Sequence, residues 1–149
     1  MKKQIEKYIP EAVDAVAETL IPKNKFEAGR SEEVDTSPEK AKKVPREYKG
    51  YISALGASLI QSGLLPTLAF YSRNSETANT VEDRSLVLKA ILYILKAHNK
   101  VGNSTNLFSY ACELQTKGNV EQLNILHQDI TDAAIALKLA IRTFEFTKS

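Results

Sequence analysis

The apolar residues near the start of the chain recur at steps of three or four, the spacing of one face of an α-helix. They are Ile5, Ile9, Val13, Val16 and Leu20. Pro10 lies inside this pattern, so it either falls in the first turn of a helix that begins near Ile9 or kinks a longer helix. Pro22 indicates where the helix ends.

The segment from residue 23 to residue 45 has a different pattern. It is rich in charged residues and in Gly, Ser, Thr and Pro, and it has almost no apolar residues. Such a composition is typical of a surface loop or a disordered linker. We therefore expect a single helical domain over residues 1–149, with a charged linker or loop at about 22–45.

Helical spacing returns after Arg46 and continues to the end of the chain. Four further helices are indicated by runs of apolar residues, among them Tyr48, Ile52, Leu55 and Leu59; Leu88, Ile91, Leu92 and Leu95; Leu107, Ala111 and Leu114; and Leu126, Ile130, Ala133 and Leu137. A short helix containing Pro66 and Phe70 is expected after the break at Gly63. Because no segment alternates like a strand, the sequence predicts an all-α, single-domain bundle of five to six helices.

Composition excludes several classes of protein. Of the 149 residues, 43% are hydrophobic and 26% are charged, which is ordinary for a globular domain, and the formal net charge is only +2. Cys112 is the single cysteine, so no disulfide can form within the chain and no cysteine-based metal site is possible. Neither a signal peptide nor a membrane-spanning run is apparent, and we expect a cytoplasmic protein.

Few residues are candidates for catalysis. His98 and His127 could supply acid–base chemistry of the kind that cleaves RNA, but no third group stands at a motif spacing. Cys112 lies within a predicted helix, where a buried structural cysteine is the usual outcome. We therefore expect a protein that is not an enzyme, with no metal site, no cofactor and no small-molecule substrate.

One cluster of charge stands out from this background. We name it the basic strip: Lys40, Lys42, Lys43, Arg46 and Lys49. A solvated surface is the default interpretation of any charge run. However, cations at the start of a helix are unfavourable for the helix dipole, which makes a phosphate partner more plausible.

The clearest family signal follows the basic strip. The stretch from Ala54 to Arg73 reads ALGASLIQSGLLPTLAFYSR. It resembles the signature of the small subunit of the type III-B CRISPR Cmr effector complex. In that signature Gly-Leu is followed by a variable pair, a small residue, Leu-Ala-Phe and an aromatic or apolar residue, with a basic residue two positions later. The Tyr- and Lys-rich sequence from Arg46 to Tyr51 is also similar to that family. Type III-A small subunits are similar helical proteins.

The resemblance implies a non-catalytic subunit that stacks along the filament bearing the crRNA and helps to hold target RNA. Its partners would be the backbone RNA-binding subunit, further copies of itself and the RNA backbone, and it would have no membrane partner. The residues expected to bind nucleic acid are Lys42, Lys43, Arg46, Lys49 and Arg73. Two alternatives are a helical protein–protein adaptor or oligomerisation domain without RNA binding, and a small ribonuclease that uses His98 or His127.

Overall fold

The computed structural model describes residues 2–21, 43–72 and 84–146. This part of the chain contains six α-helices: α1 (Lys2–Ala15), α2 (Glu47–Gln61), α3 (Leu64–Ser72), α4 (Ser85–Ala97), α5 (Leu107–Thr116) and α6 (Val120–Ile141). They pack together without any strand among the described residues, which confirms the predicted all-α bundle. Most of the expected linker, residues 22–42, lies outside the described residues.

Helix α1 begins well before Pro10 and continues beyond it, so the proline is interior to the helix. The helix then widens into a π-turn at Val16–Leu20, where the Ile21 N–H donates to the Val16 carbonyl at 3.2 Å. The fully buried residues are Tyr8, Ala12, Ala15, Val16 and Leu20. The predicted positions Ile5, Ile9 and Val13 are only partly buried.

The face of α1 that points into the bundle is therefore rotated from the face that the large aliphatic residues indicate. Helix α1 packs most extensively against α6. Two of its buried residues, Ala12 and Ala15, are small, and α6 likewise buries Ala133, Ala136 and Ala140. Small side chains let two helix backbones approach closely, and large residues are left to flank the contact.

Helices α4 and α6 form the centre of the bundle, since each contacts the other and at least three more helices. Ile91, Ile94 and Leu95 of α4 are fully buried, as are Ile130 and Leu137 of α6. Leu92, one of the apolar residues whose spacing indicates this helix, is only partly buried. It lines a small surface cavity beside the start of α5.

A tight turn joins α2 to α3. Gly63 has a φ of +95°, a conformation that favours glycine. The two helices are tied together by a hydrogen bond of 2.7 Å between the Ser58 and Thr67 hydroxyls. A second bond runs from the Tyr71 hydroxyl to the Tyr51 carbonyl, also at 2.7 Å. These contacts fix the relative orientation of α2 and α3, and hence the side chains that they expose.

Candidate nucleic-acid interface

The segment that leads into α2 is anchored to the chain that follows α6. Val44 is fully buried, and its N–H donates to the Glu145 carbonyl at 2.8 Å. Val44 and Phe146 form an isolated parallel bridge. The end of the segment that we expected to be a loop therefore packs into the bundle, and it positions the described part of the basic strip.

Three residues of the predicted nucleic-acid-binding set lie around this anchored entry. Lys43 is partly buried, whereas Arg46 and Lys49 are exposed and lie about one turn apart. The intervening Tyr48 is 2% exposed, so it holds the helix against the core while its neighbours face outwards. The Lys49 Nζ lies 5.7 Å from the centre of the Phe146 ring. Lys42 and Arg73, like Lys40, lie outside the described residues.

A further cation, Arg84, lies beside α2 and α3. Its Cζ is 4.6 Å from the centre of the Phe70 ring and 5.6 Å from that of Tyr51, distances typical of cation–π contacts. Burial raises the pKa of the nearby Tyr71, and the charge of Arg84 partly opposes this. No local pattern in the sequence distinguishes Arg84, because its aromatic neighbours come from two other helices and no spacing relates them.

A buried polar network lies between α1 and α6. Asp129 and Asp132 are only 5% and 2% exposed. The Gln4 amide donates to Asp129 Oδ1 at 3.3 Å and to Asp132 Oδ2 at 2.6 Å, and the Gln128 amide donates to Asp132 Oδ1 at 2.9 Å. Burial raises the pKa of Asp129, although Lys100 and Gln4 act in the opposite direction. These bonds explain how two carboxyl groups are accommodated inside the bundle.

The hydroxyl of Tyr8 belongs to the same region but has no hydrogen-bond partner in the described structure. Its side chain is 1% exposed. Burial raises the pKa of this phenol, and the carboxyl groups of Asp129 and Asp132 raise it further. An unpaired buried hydroxyl is uncommon and costs free energy.

The histidines lie in a structural setting. His98 Nε2 is 2.9 Å from Glu11 Oε1, and the His98 ring packs edge-on against Tyr8 at 4.9 Å between centroids. These contacts join the end of α4 to α1. His127 is partly buried on α6, and Cys112 is a partly buried free thiol on α5. Within residues 2–21, 43–72 and 84–146, no three His, Cys, Asp or Glu side chains come together as metal ligands would.

Comparison with known proteins defines the class of the bundle. A family model described as CRISPR-associated protein (Cas_Cmr5) matches residues 23–134, more than half of the chain. The chain belongs to this family, the small subunit of the type III-B Cmr complex, which confirms the resemblance. Members of the family are generally non-catalytic subunits. The comparisons with curated proteins and with solved structures gave no match.

The matched region begins after α1 and ends within α6. It therefore includes the basic strip, Phe70 and Arg84, whereas Gln4 and Tyr8 of the polar network lie before it. None of the helices in the described ranges combines the length and the apolar character that crossing a bilayer requires.

Proposed function

We propose that this Cmr subunit acts in the cytoplasm as a non-catalytic scaffold that holds target RNA. Copies of it stack along the filament that bears the crRNA, and the basic strip contacts the phosphate backbone of the RNA. Because base pairing with the crRNA supplies sequence specificity, this subunit needs only charge and shape.

The observation that carries the proposal is the anchored, outward-facing start of α2. Arg46 and Lys49 are exposed within one turn, and Val44, which follows Lys43 in the sequence, is held in the core. Arg46 also stands at the helix N-cap, where no side chain makes a capping bond and a cation is electrostatically disfavoured, with Glu47 as the acidic residue in the first turn. An RNA phosphate near these side chains would offset the repulsion between the two cations and the unfavourable interaction of Arg46 with the helix dipole.

Exposed apolar side chains support the stacking part of the proposal. Ile60 on α2 is 83% exposed, and Val120 at the start of α6 is 64% exposed. In a stack of copies, burying these two side chains against a neighbouring molecule would remove apolar surface from water. Ile60 lies about 16 Å along the α2 axis from Lys49, so one molecule can contact RNA and protein together.

The test is a salt titration of RNA binding by the assembled complex. The triple variant Lys43→Ala, Arg46→Ala, Lys49→Ala is compared with the wild type on the same guide and target. If all three side chains contact phosphates, the slope of log affinity against log salt should fall by about 2, at roughly 0.7 per contact on a single strand. Lys42→Ala and Arg73→Ala extend the series to the full predicted set.

A matched control removes the same charge elsewhere. Lys96, Lys138 and Arg142 are exposed on α4 and at the end of α6, and their replacement by Ala should leave the slope unchanged. Incorporation of each variant into the complex is measured in parallel. If the strip variant is incorporated and binds with the wild-type affinity and slope, the basic strip is only a solvated surface.

A further inference from the structure

Arg84 is held between aromatic rings, and the described residues supply no acidic partner for it. Its Nε is buried and has no hydrogen-bond acceptor there. Its guanidinium stacks on Phe70 and Tyr51 instead. Arg84 as a whole is only partly buried, so its guanidinium is still open to a ligand from solvent.

The start of α4 adds positive electrostatic potential near the guanidinium of Arg84. Arg84 occupies the N-cap of a 13-residue helix, where no side chain makes a capping bond and no acidic residue lies in the first turn. The positive end of the helix dipole and the guanidinium charge therefore coincide. A phosphate near Arg84 would compete with Glu82 and Asp83, which precede it in the sequence, and the ring beside the guanidinium indicates which kind of ligand carries that phosphate.

Phe70 remains 49% exposed although Arg84 lies against it. One side of the ring is supported by packing, since Phe70 lies edge-on against Tyr71 at 5.8 Å between ring centroids, and the Tyr71 hydroxyl is hydrogen-bonded to the Tyr51 carbonyl of α2. An exposed aromatic ring next to a planar guanidinium is the combination on which unpaired nucleobases stack. Such stacking tolerates any base, because every base has a π-face.

We propose that Phe70 and Arg84 form a platform that binds one unpaired RNA nucleotide. The base stacks on the platform and an adjacent phosphate pairs with the guanidinium of Arg84. This inference rests on the proposed function, because it assigns a second contact to the same RNA. Tyr51 joins the two sites, since it touches Arg84 and lies two residues after Lys49 on α2.

The experiment titrates the full-length, isolated subunit with two probes and follows it by NMR. One probe is a short oligoadenylate, and the other is an abasic RNA strand of the same length, which keeps the phosphates and lacks the bases. The oligoadenylate should shift the Phe70 and Tyr51 resonances and bind about fivefold or more tightly than the abasic strand, the lower end of the contribution of one stacked base.

Variants separate stacking from charge. Phe70→Leu keeps an apolar side chain, and we expect it to bind the two probes equally. Arg84→Lys keeps the charge without the planar group, so it should lose the preference for bases while retaining more abasic-strand affinity than Arg84→Gln. Tyr93→Leu and Arg142→Gln are matched controls on exposed residues of other surfaces, and they should behave as the wild type. Thermal melts verify that each variant is folded.

Equal affinity of the wild type for the two probes would overturn this inference, as would a failure of millimolar oligoadenylate to shift Phe70 or Tyr51. Either result leaves the salt titration of the assembled complex to decide the role of the basic strip. Conversely, the oligoadenylate could bind as expected while the basic-strip variant leaves the salt dependence unchanged. That pair of results would contradict only the proposed phosphate contacts of the basic strip.

Discussion

Replacing Tyr8 by Phe should stabilise the protein. The Tyr8 ring is almost completely buried between α1 and its neighbours, and its hydroxyl has no partner in the described structure. Phe retains the ring and its packing, including the edge-on contact with His98. The substitution therefore removes only the unpaired polar atom.

The size of the effect follows from the cost of that atom. A buried polar group without a hydrogen bond costs about 1–3 kcal/mol. We expect the free energy of unfolding of the Tyr8→Phe variant to rise by about 1 kcal/mol, the lower end of that range. In a chain of this length, the gain corresponds to roughly 2–4 °C in Tm. Urea denaturation followed by circular dichroism measures it, with the m-value unchanged.

The pH dependence gives a second, independent readout. Because the pKa of Tyr8 is raised above its ordinary value of 10.0, folding favours the neutral phenol. Stability contributed by that phenol is complete below pH 10 and is lost as the pH rises further, since the unfolded chain deprotonates first. The advantage of Phe over Tyr should therefore grow above pH 10. Contributions that the two proteins share cancel in the difference.

Tyr71→Phe is the matched control, since the Tyr71 hydroxyl donates to the Tyr51 carbonyl at 2.7 Å. It should lose about 0.5–1.5 kcal/mol, the net worth of one hydrogen bond. The reasoning about Tyr8 is refuted if Tyr8→Phe destabilises the protein as Tyr71→Phe does. That result would mean that the Tyr8 hydroxyl bonds to the nearby carboxyl groups or to a buried water.

Three further predictions concern the turn, the core and the carboxyl pair. Gly63→Ala should destabilise the protein by about 1–2 kcal/mol, because φ is positive at this position. Gly56 lies within α2, and an added Cβ would meet open space there, so Gly56→Ala should stabilise the protein by about 0.5–1 kcal/mol. Thermal melts measure both changes. Ile94→Ala should cost about 2–5 kcal/mol in urea, and Leu92→Ala clearly less, so equal losses would contradict the observed burial. Burial raises the pKa of Asp129 above its ordinary value of 3.8. The stability that Asp129 contributes should therefore fall as the pH rises from 3.8 through the raised pKa, because the unfolded chain loses this proton first. Asp129→Asn should flatten this dependence, which urea titrations across that pH range measure.

Helix α2 shows what spacing alone can predict. Its four buried positions, Tyr48, Ile52, Leu55 and Leu59, follow the helical period, and all four lie in the core. The Asn119 cap of α6 was likewise predictable, because its side chain acts on the nearby Gln122 N–H, at 3.2 Å. Local patterns of this kind require no knowledge of neighbouring helices.

Features that depend on distant neighbours were not predictable in this way. Two carboxyl groups, Asp129 and Asp132, are buried on α6, although charged residues are usually exposed. They are accommodated by Gln4, which lies more than a hundred residues away in sequence. The Arg84 contacts are similar, since Phe70 and Tyr51 come from separate helices. Both arrangements become visible only after the helices are packed.

The bond from the Val44 N–H to the Glu145 carbonyl joins residues 101 positions apart. Exchange of this one amide proton with solvent therefore requires the segment after α6 to detach from the entry to α2. The protection factor of the Val44 amide would report the breaking of this contact separately from global unfolding. A truncated variant that ends at Phe144 lacks the Glu145 carbonyl. We expect it to loosen Arg46 and Lys49 although every cation of the basic strip is retained.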